Sequence, residues 1–152
     1  MAYLIDCDAI AHLDGVSHCD TVIAGLKQLV AVGTLKTVEQ VYDELRRWPH
    51  LQDHFKPIKK QFLIDDQHAG EVASLVGQIA EDFEFLFDQS GTRNPDPADP
   101  WLIAAGKVLG WTVITDERRT STRKIPYVCR QQGINVRCIN GPEFFAEVGI
   151  FM

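Results

Sequence analysis

The chain has 152 residues, of which 45% are hydrophobic and 24% charged, a balance that suits one well-packed core and is too short for two domains of typical size. A formal net charge of −6 excludes a protein that grips nucleic acid mainly through a broad basic surface, because that affinity comes from cations displacing phosphate counterions. No apolar run approaches the ~20 residues of a membrane span, and the opening MAYLIDCDAI lacks the layout of a secretory signal, so a single soluble, cytoplasmic domain over 1–152 is expected.

The chain opens on an apolar run, Tyr3-Leu4-Ile5, that stops abruptly at Asp6-Cys7-Asp8, as a buried strand does on reaching the edge of a sheet. Asp20 and Thr21 suit a helix start, and Val22, Ile23, Leu26, Leu29 and Val30 continue at helical spacing as far as Gly33. Residues 35–38 read as a second short strand, with Thr37 able to cap a helix over 38–48 that Trp48-Pro49 closes. Two more helices are expected over 51–63 and 69–87, the second marked by Val72, Leu75, Val76, Ile79, Phe83 and Leu86. Residues 90–98 are rich in turn formers and read as a linker. Asp99 followed by Pro100 suits an N-cap and first helical residue, and the helix then runs to Gly110. A strand over 112–115 stops at Asp116-Glu117. After it come a helix over 125–132, a strand over 135–139 and a helix over 142–148. Strands alternating with helices predict a three-layer α/β/α fold around a mainly parallel sheet.

In open parallel sheets, ligands bind beyond the carboxyl ends of the strands, which singles out Asp6 and Asp116. Asp99 reaches the same rim if its helix packs antiparallel to the strand ending at Asp116. Carboxylates gathered in this way repel one another unless protonated or neutralised, and hard cations such as Mg²⁺ and Mn²⁺ favour oxygen ligands. For a fourth acid the choices are Glu39, Asp43 and Glu44. At about 100° per residue, Asp43 points nearly opposite the apolar centre of its helix while Glu44 lies at the border and can reach inward. Plainer roles exist for each: Asp99 as a helix cap, Asp6 as the polar end of a strand, Glu44 as a solvated side chain. Asp8, Asp96 and Glu117 sit beside the favoured acids and exchange roles with them if a strand ends one residue away.

The opening Tyr3-Leu4-Ile5-Asp6-Cys7-Asp8, the segment Ala98-Asp99-Pro100-Trp101-Leu102-Ile103-Ala104, the strand Val113-Ile114-Thr115-Asp116-Glu117 and the ending 134–151 resemble PIN-domain proteins. More narrowly, they are similar to an uncharacterised prokaryotic branch grouped with toxin–antitoxin ribonucleases of the VapC kind. The resemblance runs nearly end to end, strongest at 3–8 and 98–117. It implies a PIN-like fold and a Mg²⁺- or Mn²⁺-dependent endoribonuclease in which Asp6, Glu44, Asp99 and Asp116 fall on the family's acidic positions. Asp6 and Asp99 are then direct metal ligands, Asp116 completes the coordination shell, and Glu44 orients a water or binds a second ion. Asp8, Thr115 and Glu117 are supporting residues. The family commonly follows its first Asp with Thr or another small residue and then Asn or Ser, whereas Cys7 and Asp8 stand here. The resemblance also implies an antitoxin protein that covers the acidic pocket, and family members often pair as homodimers.

An RNA substrate needs cations beside the site, and the loop after Asp116 offers Arg118, Arg119, Arg123 and Lys124, which serve equally as a solvated connector. Trp48, Trp101 and Trp111 read as core first. Cys7, Cys19, Cys129 and Cys138 contain no Cys-x-x-Cys, so neither a thiolate zinc site nor a redox dithiol is indicated. Among the histidines only His50 and His54 have helical ligand spacing, and they are expected to straddle a helix start, which argues against a zinc hydrolase. Two rival functions remain. Asp6-Cys7-Asp8 resembles the Asp-x-Asp of haloacid-dehalogenase-like phosphatases, although the acidic pair Asp65-Asp66 precedes Thr115, out of order for that family. The other rival is a non-catalytic PIN-like interaction module.

Overall fold

A buried tripeptide, Tyr3–Ile5, forms β1 at the middle of the molecule, because all three of its side chains are apolar and the sheet is covered on both faces. In the computed structural model, which describes residues 1–89, 92–93 and 97–150, β1 lies between β2 (Leu35–Lys36) and β5 (Thr112–Ile114). β6 (Cys138–Ile139) completes a four-stranded sheet of order β2-β1-β5-β6, parallel throughout, with Leu4 opposite Val113 and Ile5 opposite Ile114. Helices flank this sheet, giving the expected three-layer α/β/α arrangement. From β1 the chain steps outward to β2, then returns across β1 to lay down β5 on its other side. That reversal of direction opens a crevice at the carboxyl ends of β1 and β5.

Several elements differ from expectation for local reasons. Helix α1 (Cys7–Ala11) follows β1 with Asp6 alone between them, since the Asp6 side chain accepts the Cys7 N–H and starts the helix. α2 (Cys19–Ala31) runs as expected. Thr37 does not cap α3 (Glu39–Glu44): its buried hydroxyl donates to the Ile5 carbonyl at 2.6 Å, tying the exit of β2 to that of β1. α3 tightens into a 3₁₀ turn at Leu45–Arg47, and Trp48 leaves the helical region at φ −127°, ψ 73°, in line with the bias of a following proline against helical backbone. Pro57 interrupts the helix expected at 51–63, leaving α4 (Pro49–Phe55), a 3₁₀ turn and α5 (Lys59–Phe62). His50 and His54 therefore share α4 instead of straddling its start. Each faces a carboxylate across the neighbouring loop: His50 Nε2 lies 2.9 Å from Asp14, and His54 Nε2 lies 3.8 Å from Asp20.

The next helix, α6 (Ala69–Asp82), ends before a 3₁₀ turn at Glu84–Phe87, and β3 (Asp88–Gln89) pairs antiparallel with β4 (Thr92–Arg93). Most of the expected linker at 90–98, Asp96 included, lies outside the described residues. α7 (Ala98–Leu109) begins two residues earlier than expected, with Pro97 at its N-cap, so Asp99 lies in its first turn instead of capping it, where the helix dipole still favours a carboxylate. Gly110, at φ 71°, ends α7 in the left-handed conformation. α8 (Ile125–Cys129) and β6 are both shorter than the residues assigned to them, whereas α9 (Gly141–Val148) carries a capping box between Asn140 and Glu143. One apolar core joins these elements, with Trp48, Trp101 and Trp111 packed half-buried against it. Among the described residues no helix is long and apolar enough to cross a membrane.

Gly106 sets how closely α7 can approach the sheet. A Cβ there would lie 2.8 Å from Val113 Cγ2 and 3.1 Å from Val136 Cγ1, too close for either valine to stay in place. Gly106→Ala is expected to destabilise the protein by about 1–3 kcal/mol through overpacking, despite alanine's better helix propensity. Urea unfolding monitored by circular dichroism measures it, and an unchanged or raised midpoint contradicts the close packing.

Candidate metal centre

The carboxyl ends of β1 and β5 deliver side chains into the crevice between them. Asp6, 5% exposed, has both oxygens engaged: Oδ1 accepts the Cys7 N–H at 2.8 Å, and Oδ2 accepts the Thr115 hydroxyl at 2.8 Å. Its backbone N–H bonds the Ile114 carbonyl at 2.8 Å, so the residue is held by β5 through main chain and side chain alike. Thr115, 2% exposed, has one proton to give and gives it to Asp6, the nearest acceptor. Its oxygen accepts the Glu117 N–H at 3.3 Å. Asp99 enters from the first turn of α7 and is 7% exposed. Glu117, half-buried, stands after β5 with Oε1 accepting the Ile125 N–H at 3.1 Å and Oε2 3.7 Å from Lys124 Nζ.

Asp6, Asp99 and Glu117 bring one carboxylate oxygen each to within 4.8 Å of one another. Asp8 joins their edge, accepting the Asp116 N–H at 3.2 Å, with its oxygens 3.3 and 3.4 Å from the Thr115 hydroxyl. Glu44, at the inward border of α3 as its helical phase predicts, accepts a hydrogen bond from the Ala98 backbone and feels Asp8, but is not one of the three converging ligands. Asp43 is exposed.

Asp116 is placed differently from its expected role. Its Oδ1 accepts the Gly141 N–H at 2.7 Å and its Oδ2 lies 2.7 Å from His12 Nδ1, so the carboxylate faces the start of α9 and the end of α1. A Cβ on residue 141 would stand 3.1 Å from Oδ1, so glycine allows this approach. Successive side chains leaving a strand point to opposite sides, so the last turn of backbone after Ile114 decides which acid enters the crevice. It sends in Glu117. The signal for this was the adjacent acidic pair itself, which gives the order of the acids but not their facing.

The electrostatics of the centre follow from its burial. Desolvation above all, then Asp8, Asp99 and Glu117, pushes the Asp6 carboxyl well above its ordinary value, against the Thr115 hydrogen bond. Glu117 is raised mainly by burial, opposed by the Ile125 N–H and Lys124. Burial also raises Glu44, opposed by the Ala98 N–H, Arg47 and Arg46. A divalent cation fits this donor set: three hard oxygen ligands, two of them buried and with Lys124 beside Glu117 as a facing cation, gain more from a divalent ion than from one another. The residues present can therefore hold a metal.

Of the four cations expected to meet a substrate, three are engaged within the protein. Arg119 pairs with Glu143, Lys124 lies beside Glu117, and Arg123 stands 5.5 Å from the centre of the Phe85 ring. Arg118 is exposed and makes no ion pair among the described residues. Arg46 and Arg47, which the helix pattern did not single out, are also exposed and lie near Glu44 on the other flank.

The raised Asp6 carboxyl sets a sign for pH. The folded, metal-free protein keeps a proton to higher pH than the unfolded chain, so between about pH 4 and the raised value its stability falls as pH rises. A cation needs the ionised ligands, so the stabilisation by Mn²⁺ over EDTA should grow across the same range, and a Tm difference that is flat with pH contradicts the centre. Thr115→Val keeps the shape of the side chain but removes the proton held on Asp6. It should weaken Mn²⁺ binding by roughly tenfold or more in calorimetric titration while the fold persists.

Neither a curated protein nor a solved structure matches the chain. A family model described as a domain of unknown function (DUF4411) matches residues 3–151, which spans every residue of the centre, and the chain belongs to that family.

Proposed function

We propose that the chain is a Mg²⁺- or Mn²⁺-dependent endoribonuclease, the toxin of a type II toxin–antitoxin pair whose cognate antitoxin covers the acidic crevice. The observation that carries the metal-dependent chemistry is the convergence of Asp6, Asp99 and Glu117 at the switch point of a parallel sheet. The choice of RNA rests on the resemblance of 3–8 and 98–117 to PIN-domain ribonucleases.

Bound in this centre, a divalent cation supplies Lewis-acid stabilisation of the charge that develops on the scissile phosphate. The protein's own part is to fix geometry. Asp6, Asp99 and Glu117 hold the cation, and the Thr115 hydroxyl and Cys7 N–H keep Asp6 from turning away. Asp8 and Glu44 add negative charge at the rim, where either can accept a proton from an attacking water. Arg118 on one flank, with Arg46 and Arg47 on the other, offers free guanidinium groups to neighbouring phosphates. Such contacts position a strand locally, which accords with a chain whose net charge is negative.

Cleavage of a labelled single-stranded RNA in Mn²⁺ tests this reading. Asp6→Asn and Asp99→Asn are expected to lose on the order of 10²-fold or more in rate, EDTA to abolish cleavage, and Asp116→Asn to retain more activity than either. Cleavage indifferent to Asp6→Asn and Asp99→Asn overturns the assignment.

A further inference from the structure

We propose that a second cavity, across α7 from the metal centre, is a binding site for a small aliphatic amine, an ammonium group carried on an extended apolar chain. The cavity measures about 210 Å³ and lies past the exit of β2, the edge strand of the sheet. It arises where two stretches of chain part. The Thr37 N–H bonds the Phe62 carbonyl at 2.8 Å and the Ile64 N–H bonds the Thr37 carbonyl at 3.0 Å, so residues 62–64 run beside the exit of β2. Beyond that point Val38 turns into α3, while Ile64 leads through Asp65 and Asp66 to the start of α6. α7, which packs against both helices, closes the gap between their starts.

The walls set the chemistry of the occupant. Leu63, Ile64, Val72, Trp101 and Leu109 line the cavity, and all but Val72 are only half-buried, which leaves apolar surface for a ligand to cover. Trp101 and Leu109, eight residues apart on α7, stand about 12 Å apart along its axis, so an extended chain follows this wall better than a compact ring. The volume falls below the roughly 300–1,000 Å³ that holds a drug-sized molecule, which limits the occupant to a small one. Glu39, Asp65 and Asp66 are the exposed acids of the wall, and no lysine or arginine is among its lining residues. Asp65 Oδ1 accepts the Gln67 N–H at 3.1 Å, which holds that carboxylate in place, and the lining His68 has its Nδ1 3.1 Å from Glu71. The starts of α3 and α6 add at most about half a positive charge each, less than the three formal negative charges, so the wall selects a cation. An ammonium has three donors with which to meet carboxylates from the α3 side and the α6 side, and it stays at the wet rim while its chain covers the apolar wall.

Trp101 follows Asp99 by two residues, about 200° around α7, so the helix that turns Asp99 toward the crevice turns Trp101 toward the cavity. The two sites suit different cations. The crevice gathers its carboxylate oxygens within 4.8 Å of one another, for a compact divalent ion. The cavity sets its acids around an apolar wall, which suits a charge carried on a chain. The amine site does not depend on the metal-centre reading.

The test titrates hexylamine hydrochloride into the ¹⁵N-labelled chain at constant ionic strength and follows it by NMR. The Trp101 indole N–H and the Ile64 and Ala69 amides are expected to shift together and saturate, while the indoles of Trp48 and Trp111 stay in place. Methylamine, which lacks the chain, and hexanoate, which reverses the charge, are expected to bind at least tenfold more weakly. Combining Glu39→Gln, Asp65→Asn and Asp66→Asn, all at exposed positions, should weaken hexylamine roughly tenfold. Ala69→Phe, which places a ring in the cavity from an exposed position, should abolish binding. Wild-type signals of Trp101, Ile64 and Ala69 that do not move, or hexanol bound as tightly as hexylamine, overturn the proposal whether or not the variants fold. Displacement of hexylamine by Mg²⁺ also overturns it, because that result puts the amine in the crevice. Tighter binding of Nα-acetyl-lysine-N-methylamide than of hexylamine overturns the free amine in favour of a lysine side chain from a protein partner.

Discussion

Three carboxylates brought within 4.8 Å of one another at the end of a sheet repel, and two of them are nearly sealed from water. Nothing in the apolar packing around them offsets that repulsion directly; protons or a cation must. The surrounding fold is arranged to hold the group in place regardless. Asp6 is fastened from three directions by the Cys7 N–H, the Thr115 hydroxyl and the Ile114 carbonyl, and Glu117 by the first N–H of α8. These hydrogen bonds fix the acids facing one another, an arrangement that can hold a cation.

Asp116 and Glu117 divide what one of them was expected to do. Asp116 serves as an architectural acceptor, binding the Gly141 N–H at the start of α9 and His12 at the end of α1, so it pins two helices to the rim. Glu117 enters the crevice, and its longer side chain spans from the strand end to α8. Adjacent carboxylates after a strand thus take opposite duties, one closing the wall of the site and the other lining it. Asp8 bridges them, accepting the Asp116 N–H while adding charge beside Asp6.

The positive groups are arranged with the same economy. Arg119, Arg123 and Lys124 are drawn into the structure of the loop after β5, by Glu143, by the Phe85 ring and by Glu117. This loop is therefore a built wall and not a loose basic arm, and the exposed guanidinium groups are Arg118 within it and Arg46 and Arg47 in the turn after α3.

From the sequence alone one can read the alternation of strand and helix, the parallel sheet it requires, and the acids at strand ends, because apolar periodicity and capping chemistry are local properties. Asp6, Asp99 and the inward border position of Glu44 are legible for that reason. The lengths of the middle helices were less so, since Pro57 acts on hydrogen bonds whose partners depend on where each helix begins. Which of Asp116 and Glu117 enters the crevice and the grip of Thr115 on Asp6 belong to the tertiary structure. Each depends on backbone direction at a single residue or on two distant segments arriving side by side, and spacing along the chain carries no record of either.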